Sequence, residues 1–214
     1  MSYVITLVFS LVALVSALPT TTHSASASNG SVLAEQWLIP RLHMHIMSDG
    51  TGIPGNPPWP DGMRFNSTID FDVLMLNYTV NEDGSAPAPL ALTCQASWRN
   101  GTLPDMYEGC TGSPADEMVA FRMGEYTDLG DRRPELSFVL DMVRVRMEDE
   151  NRIYHLSGSI PITANDPYEP SSYLTCLLGP PYDGLRCAIK SYLSVDNELI
   201  IKATSTLPRE TGSA

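Results

Sequence analysis

The sequence predicts an all-β protein, an antiparallel sandwich or barrel of about eight or nine strands stapled by two disulfides. Three observations carry this reading. Short runs with apolar residues at every second position recur along the chain, clusters of Gly, Pro, Asn and Asp separate them, and four cysteines form an even set. No repeat of fixed period is present.

Taken in order, "WLIPRLHMHIM" places Leu42, Met44 and Ile46 on one face and Arg41, His43 and His45 on the other, the two-residue period of a half-buried strand. Pro40 puts its early part at an edge or bend. "DGTGIPGNPPWPDG" is too rich in Gly and Pro for regular structure and reads as a long loop. "RFNSTIDFDV" aligns Phe65, Ile69, Phe71 and Val73, after which "LMLNYTV" moves the apolar set to Leu74, Leu76, Tyr78 and Val80, a parity change that predicts a β-bulge. "PLALTCQASW" turns Leu90, Leu92, Cys94, Ala96 and Trp98 inward. Further strands are expected at "MVAFRMGEYT", "LSFVLDMVRVRM", "RIYHLSGSIPIT", "SYLTCLL", "LRCAIKSYL" and "ELIIKATS". "ELSFVLDMVRVRMEDENR" also fits a helical stripe through Leu136, Val139, Leu140, Val143 and Met147. Its β-branched content and the "EDEN" turn favour a strand and hairpin.

The ends read differently from this body. An uncharged apolar run from Val4 to Val15 leads into Val15, Ser16 and Ala17, the small-residue pattern cut by signal peptidase. The run is shorter than the roughly 20 apolar residues a bilayer span requires. The expected organisation is a signal peptide at 1–17, a flexible tether at 18–34, one β domain at 35–206 and a disordered tail at 207–214. Secretion to the extracellular space follows, with no membrane insertion.

Formal charge is -12, and such an acidic surface repels phosphate backbones, so nucleic acid is not an expected partner. Asn29, Asn66, Asn77 and Asn100 each open an N-x-Ser/Thr sequon, which behind a signal peptide predicts a glycoprotein. Cys94, Cys110, Cys176 and Cys187 allow three connectivities, and an oxidising route favours disulfides over metal ligation. The sequential pairing, Cys94 with Cys110 and Cys176 with Cys187, closes the shortest loops and is preferred.

Chemistry-bearing groups are sparse. His43 and His45 share a strand face, and with His155 as a third ligand and Asp49 or Asp72 as oxygen donors they would hold zinc with an open position for water. Strand parity turns His155 outward, because Tyr154, Leu156, Ile160 and Ile162 share the inward face. The carboxylate pair Asp70 and Asp72, and the run Glu148 to Glu150, read as an outer strand face and a charged turn rather than a glycosidase pair. No G-x-S-x-G elbow, P-loop or dinucleotide fingerprint occurs in the sequence, and no cofactor is implied. The alternative to a binding protein is a secreted metal-dependent or hydrolytic enzyme built on His43, His45 and His155. "ITANDPYEPSSYLTCLLGPPYDGLRC" is the most distinctive run, and its Tyr168, Tyr173 and Tyr182 are candidate contact residues on a rigid loop.

The order of elements, "LTCQASW", a loop closed at "YEGC", a run of strands and "LTCLLGPPYDGLRC" before "ELIIKA", resembles fungal small secreted proteins, and among named groups the Alternaria major allergen-like family. The resemblance covers roughly Phe65 to Ala203. It implies a secreted β-barrel acting as an allergen or effector-like protein on a host or cell-wall component, with no catalytic residues to carry over. The chain departs from that family in its "QWLIPRLHMHIM" segment and in lacking an early cysteine that can link two subunits. A monomer is therefore expected.

Overall fold

Ten strands form among the residues described by the computed structural model, which are 34–75, 88–99, 101–149 and 152–205. They are β1 Ala34–Ile46, β2 Ser67–Met75, β3 Leu90–Trp98, β4 Glu108–Gly109, β5 Glu117–Glu125, β6 Ser137–Asp149, β7 Arg152–Thr163, β8 Leu174–Leu178, β9 Leu185–Ile189 and β10 Leu199–Ser205. The all-β expectation holds. The expected signal peptide, the tether through residue 33, Asn29, Asn77, Asn100 and the tail at 207–214 lie outside the described residues.

Alternation decides each face. In β1, Leu42, Met44 and Ile46 point inward as expected, but so do Trp37 and Ile39, one parity step out of phase. The pairing of β1 with β2 shifts register between Leu38 and Arg41, so the bend at Pro40 is a bulge that lets both apolar sets face one core. In β2, Ile69, Phe71 and Val73 are buried and Met75 keeps the same parity, so the apolar set has not moved to Leu74, which is only half-buried. Leu76, Tyr78 and Val80 lie outside the described residues. Residues 137–149 are a strand paired with β7 and not a helix, because Phe138, Leu140 and Met142 then bury on one face against that partner.

The main sheet runs β3-β2-β1-β10-β7-β6-β5-β4, with antiparallel neighbours throughout. Its two ends meet. Thr93 of β3 and Thr111, just past β4, exchange two backbone hydrogen bonds of 3.0 and 2.8 Å, and the Cys94–Cys110 disulfide lies beside them. The two-residue β4, in a segment without strand alternation in its sequence, supplies the last link of this nearly closed barrel.

Between β1 and β7 the wall is made twice. Near the start of β1 its neighbour is β10, which among the described residues meets β7 in register at Thr204↔Ser157 and Ser205↔Leu156. Near the end of β1 its neighbour is β9, and the β8–β9 hairpin reaches β7 through a parallel bridge between Leu174 and Ala164. Cys176 and Cys187 are direct cross-strand partners in that hairpin and form the second disulfide. Close approach of β10 requires Gly158, because a Cβ there would lie 2.6 Å from Ile201 Cγ2 and 2.7 Å from the Lys202 carbonyl. The interior is filled by side chains such as Trp37, Phe71, Phe121 and Phe138, with Phe71 edge-on to Phe121 at 4.8 Å. Among the described residues no helix is long and apolar enough to cross a membrane.

Candidate functional site

Each mouth of the barrel holds an arginine between carboxylates. Where β1 begins, Arg144 projects inward from β6 and bonds both Glu35 oxygens at 2.8 Å and Glu117 at 2.6 and 3.1 Å. Burial opposes its charge, but these carboxylates outweigh burial and raise its pKa. Where β1 ends, Glu135 is fully buried and accepts from Arg133 at 2.9 Å and from the Gly101 N–H at 3.1 Å. Burial pushes the Glu135 carboxyl up, yet the Arg133 hydrogen bond and the N–H donors from its own backbone and Gly101 hold it below the usual carboxylate range. Arg133 also donates to the Met47 carbonyl, tying β1 to the segment before β6.

Above the second mouth lies a chain of aromatic rings. His45 stacks on Phe65 at 4.4 Å, Phe65 meets Trp59 edge-on at 5.8 Å, and Trp59 meets Tyr182 edge-on at 5.8 Å. Trp59 is anchored by donation from Nε1 to the Ser48 carbonyl at 2.9 Å. Tyr182 has φ 65°, a left-handed conformation that costs a bulky residue about 1–2 kcal/mol. It is held there by donation of its N–H to the Thr51 carbonyl at 2.8 Å. Beside it, Asp183 accepts two bonds from Arg186 at 2.6 and 2.7 Å, and Arg186 with the nearby His45 holds its carboxyl low. His45 Nε2 lies 2.6 Å from the Asp183 carbonyl oxygen, which as an acceptor places the proton on that nitrogen. This turn sits between β8 and β9, so the Cys176–Cys187 hairpin carries it as a rigid unit.

The three candidate tyrosines do not converge. Tyr182 belongs to the ring chain, Tyr168 is 94% exposed on the turn after Asp166, and Tyr173 packs against the core, where burial raises its pKa. The histidines separate as well. Ala34 aligns with Thr204 and Thr204 with Ser157, so His155 lies level with the start of β1, while His43 is nine residues further along it. At strand rise this is on the order of 30 Å. The zinc triad therefore does not form, and among the described residues no three His, Cys, Asp or Glu side chains cluster as a metal site.

The oxygen donors are engaged too. Arg41 grips Asp72 at 2.7 and 2.8 Å and Asp70 at 2.6 Å, which holds Asp72 below its usual range, with help from Thr93 at 3.1 Å. Asp49 lies 3.8 Å from Arg133. A single arginine thus holds both the Asp70 and Asp72 carboxylates on one outward strand face. Sequence reasoning missed the contribution of Trp59, whose Pro- and Gly-rich surroundings read only as loop, and expected Phe65 on the inward face of a strand, whereas Phe65 precedes β2, is only half-buried and stacks on His45. Comparison with protein-family models, with curated proteins and with solved structures finds no match.

Proposed function

We propose that this chain is a secreted, N-glycosylated extracellular interaction protein that engages a host or cell-wall component through the aromatic mouth at Phe65 and Tyr182, which the buried Trp59 supports from below. One observation carries the reading: Tyr182 is held in a left-handed conformation by Thr51 and Trp59 on a disulfide-pinned hairpin. Backbone strain retained at a rigid, ring-bearing turn is a mark of a contact site. Rings already held in place lose little entropy when they bind. Two disulfides fit an oxidising compartment, and the exposed Asn66 fits a glycan-bearing position. A polysaccharide-binding assay on insoluble wall fractions tests the proposal. Wild type should be retained, and Tyr182→Ala should lose about thirtyfold or more in affinity, a hot-spot magnitude, with an unchanged melting curve. Equal retention of both proteins, or of neither, would overturn this assignment of the mouth. Turnover in a glycan, peptide and ester hydrolysis screen, abolished by His43→Ala with the fold intact, would favour the enzyme alternative instead.

A further inference from the structure

Of the four rings at the second mouth, only His45 belongs to a strand. Trp59 and Phe65 lie on the connection between β1 and β2, and Tyr182 lies on the turn between β8 and β9. Connecting segments of this kind have no ladder of their own to fix them against the barrel. His45 has a ladder on each side, paired with Thr68 of β2 and with Arg186 of β9. The barrel wall therefore places its ring.

That one side chain reaches both contact segments. The imidazole face stacks on Phe65 at 4.4 Å with 21° between the planes, and Nε2 donates to the carbonyl of Asp183, the residue after Tyr182, at 2.6 Å. The Asp183 carboxylate is taken by Arg186 at 2.6 and 2.7 Å and lies 3.4 Å from Nε2, so the backbone oxygen is the closer acceptor. Gly184, with φ 74°, lets the turn lie directly against the other segment, since a Cβ there would be 2.9 Å from Phe65 Cζ. Trp59 meets both rings edge-on from below, but it is carried by the loop itself. An imidazole suits both contacts: phenylalanine offers the face without a donor, and glutamine a donor without the face. His43 has the same chemistry but pairs with Asp70 and Ala188, about 7 Å further along β1 from the turn.

We propose that His45 is the positioning residue of the mouth, fixing Phe65 and the Tyr182 turn against one strand so that both rings are presented in a single arrangement before a partner arrives. Rings ordered in advance have less freedom to lose on binding, which is how a side chain that need not touch the partner raises affinity. Its effect on binding rests on the contact-site reading of this mouth; its hold on the two segments does not.

Fluorine NMR of the full chain labelled with fluorotyrosine tests the hold directly, with the Tyr182 line identified among nine tyrosines by its loss in Tyr182→Phe. Wild type should give one Tyr182 line away from the exposed-tyrosine position. His45→Phe, which keeps the stack and loses the donor, should move that line toward the exposed position, and His45→Gln, which keeps a donor, should leave it nearer to wild type. His43→Phe should not move it. These substitutions change half-buried or exposed side chains, so melting temperatures should stay within about 4 °C of wild type. On wall fractions, His45→Phe should bind about two- to tenfold more weakly, the cost of ordering one side chain on binding. It should add nothing to Tyr182→Ala, because it acts through that ring. A Tyr182 line unmoved in His45→Phe would overturn the proposal, as would equal movement in His43→Phe, or a His45 effect on binding that adds in full to Tyr182→Ala. Wild type that ignores the wall fractions, while its Tyr182 line responds to His45 as expected, would sink the wall-binding reading and leave His45 in its positioning role.

Discussion

Cys94 and Cys110 are bonded across the seam at which the first and last strands of the sheet order meet. The bond lies beside the paired backbone hydrogen bonds of Thr93 and Thr111, where regular strand pairing has shrunk to a single bridge. Its partner, Cys176–Cys187, pins the hairpin that fills the gap between β1 and β7. The first disulfide therefore stands where the ladder is reduced to one bridge, and the second clamps the hairpin that spans the other gap.

Removing the seam bond is expected to destabilise the barrel without unmaking its strands. The double variant Cys94→Ala, Cys110→Ala should lose about 3 kcal/mol in urea denaturation, the chain-entropy magnitude for a loop of this length. Far-ultraviolet dichroism should stay strand-like, since β3 keeps its full pairing with β2.

Arg144→Met should cost about 3–5 kcal/mol, because it leaves Glu35 without the Arg144 cation and the Glu117 carboxylate, 5% exposed, with only the more distant Arg146 at 3.8 Å. Replacing the whole group with Glu35→Gln, Arg144→Met and Glu117→Gln should recover much of that loss in the same denaturation assay. Failure of the triple variant to improve on the single one would show that Arg144 acts mainly through packing.

Glu135 makes stability depend on acid. Its pKa is lowered in the folded state, so its contribution is complete above the usual carboxylate range and is lost as pH falls through the usual value and then the depressed one. Glu135→Gln should be about 2 kcal/mol less stable than wild type at pH 7. The gap should narrow as melting is measured from about pH 5 down to about pH 2, because the wild-type carboxyl is then protonated as well.

Gly158→Ala should destabilise by about 1–3 kcal/mol, as overpacking does, because β7 and β10 cannot separate without giving up their two paired positions. Gly124→Ala, on β5 two strands from β7 and with open space around its Cβ position, should change the melting temperature little.

Much of this was legible in the chain because strand faces are a local property. The alternation through Leu42, Met44 and Ile46, or through Leu92, Cys94 and Trp98, needs only neighbouring residues to be read. The candidate site was less legible. Tyr182 stood out by its Pro and Gly neighbours, but Trp59 and Phe65 join it across more than a hundred residues, and no periodic pattern encodes such a meeting. His43, His45 and His155 mislead for the same reason: parity put all three outside, and only register shows that two of them lie far from the third.

By itself, then, the sequence determined the all-β class, most strand positions and the inward residues, because a two-residue period set against turn residues fixes which side of each strand avoids water. Tertiary structure decided how the ends of the sheet meet at Thr93 and Thr111, how β9 replaces β10 beside β1, and where Arg144 finds its carboxylates and Arg133 the Met47 carbonyl. Those outcomes depend on register between strands distant in the chain. Register follows from packing one shared core, which no single segment contains.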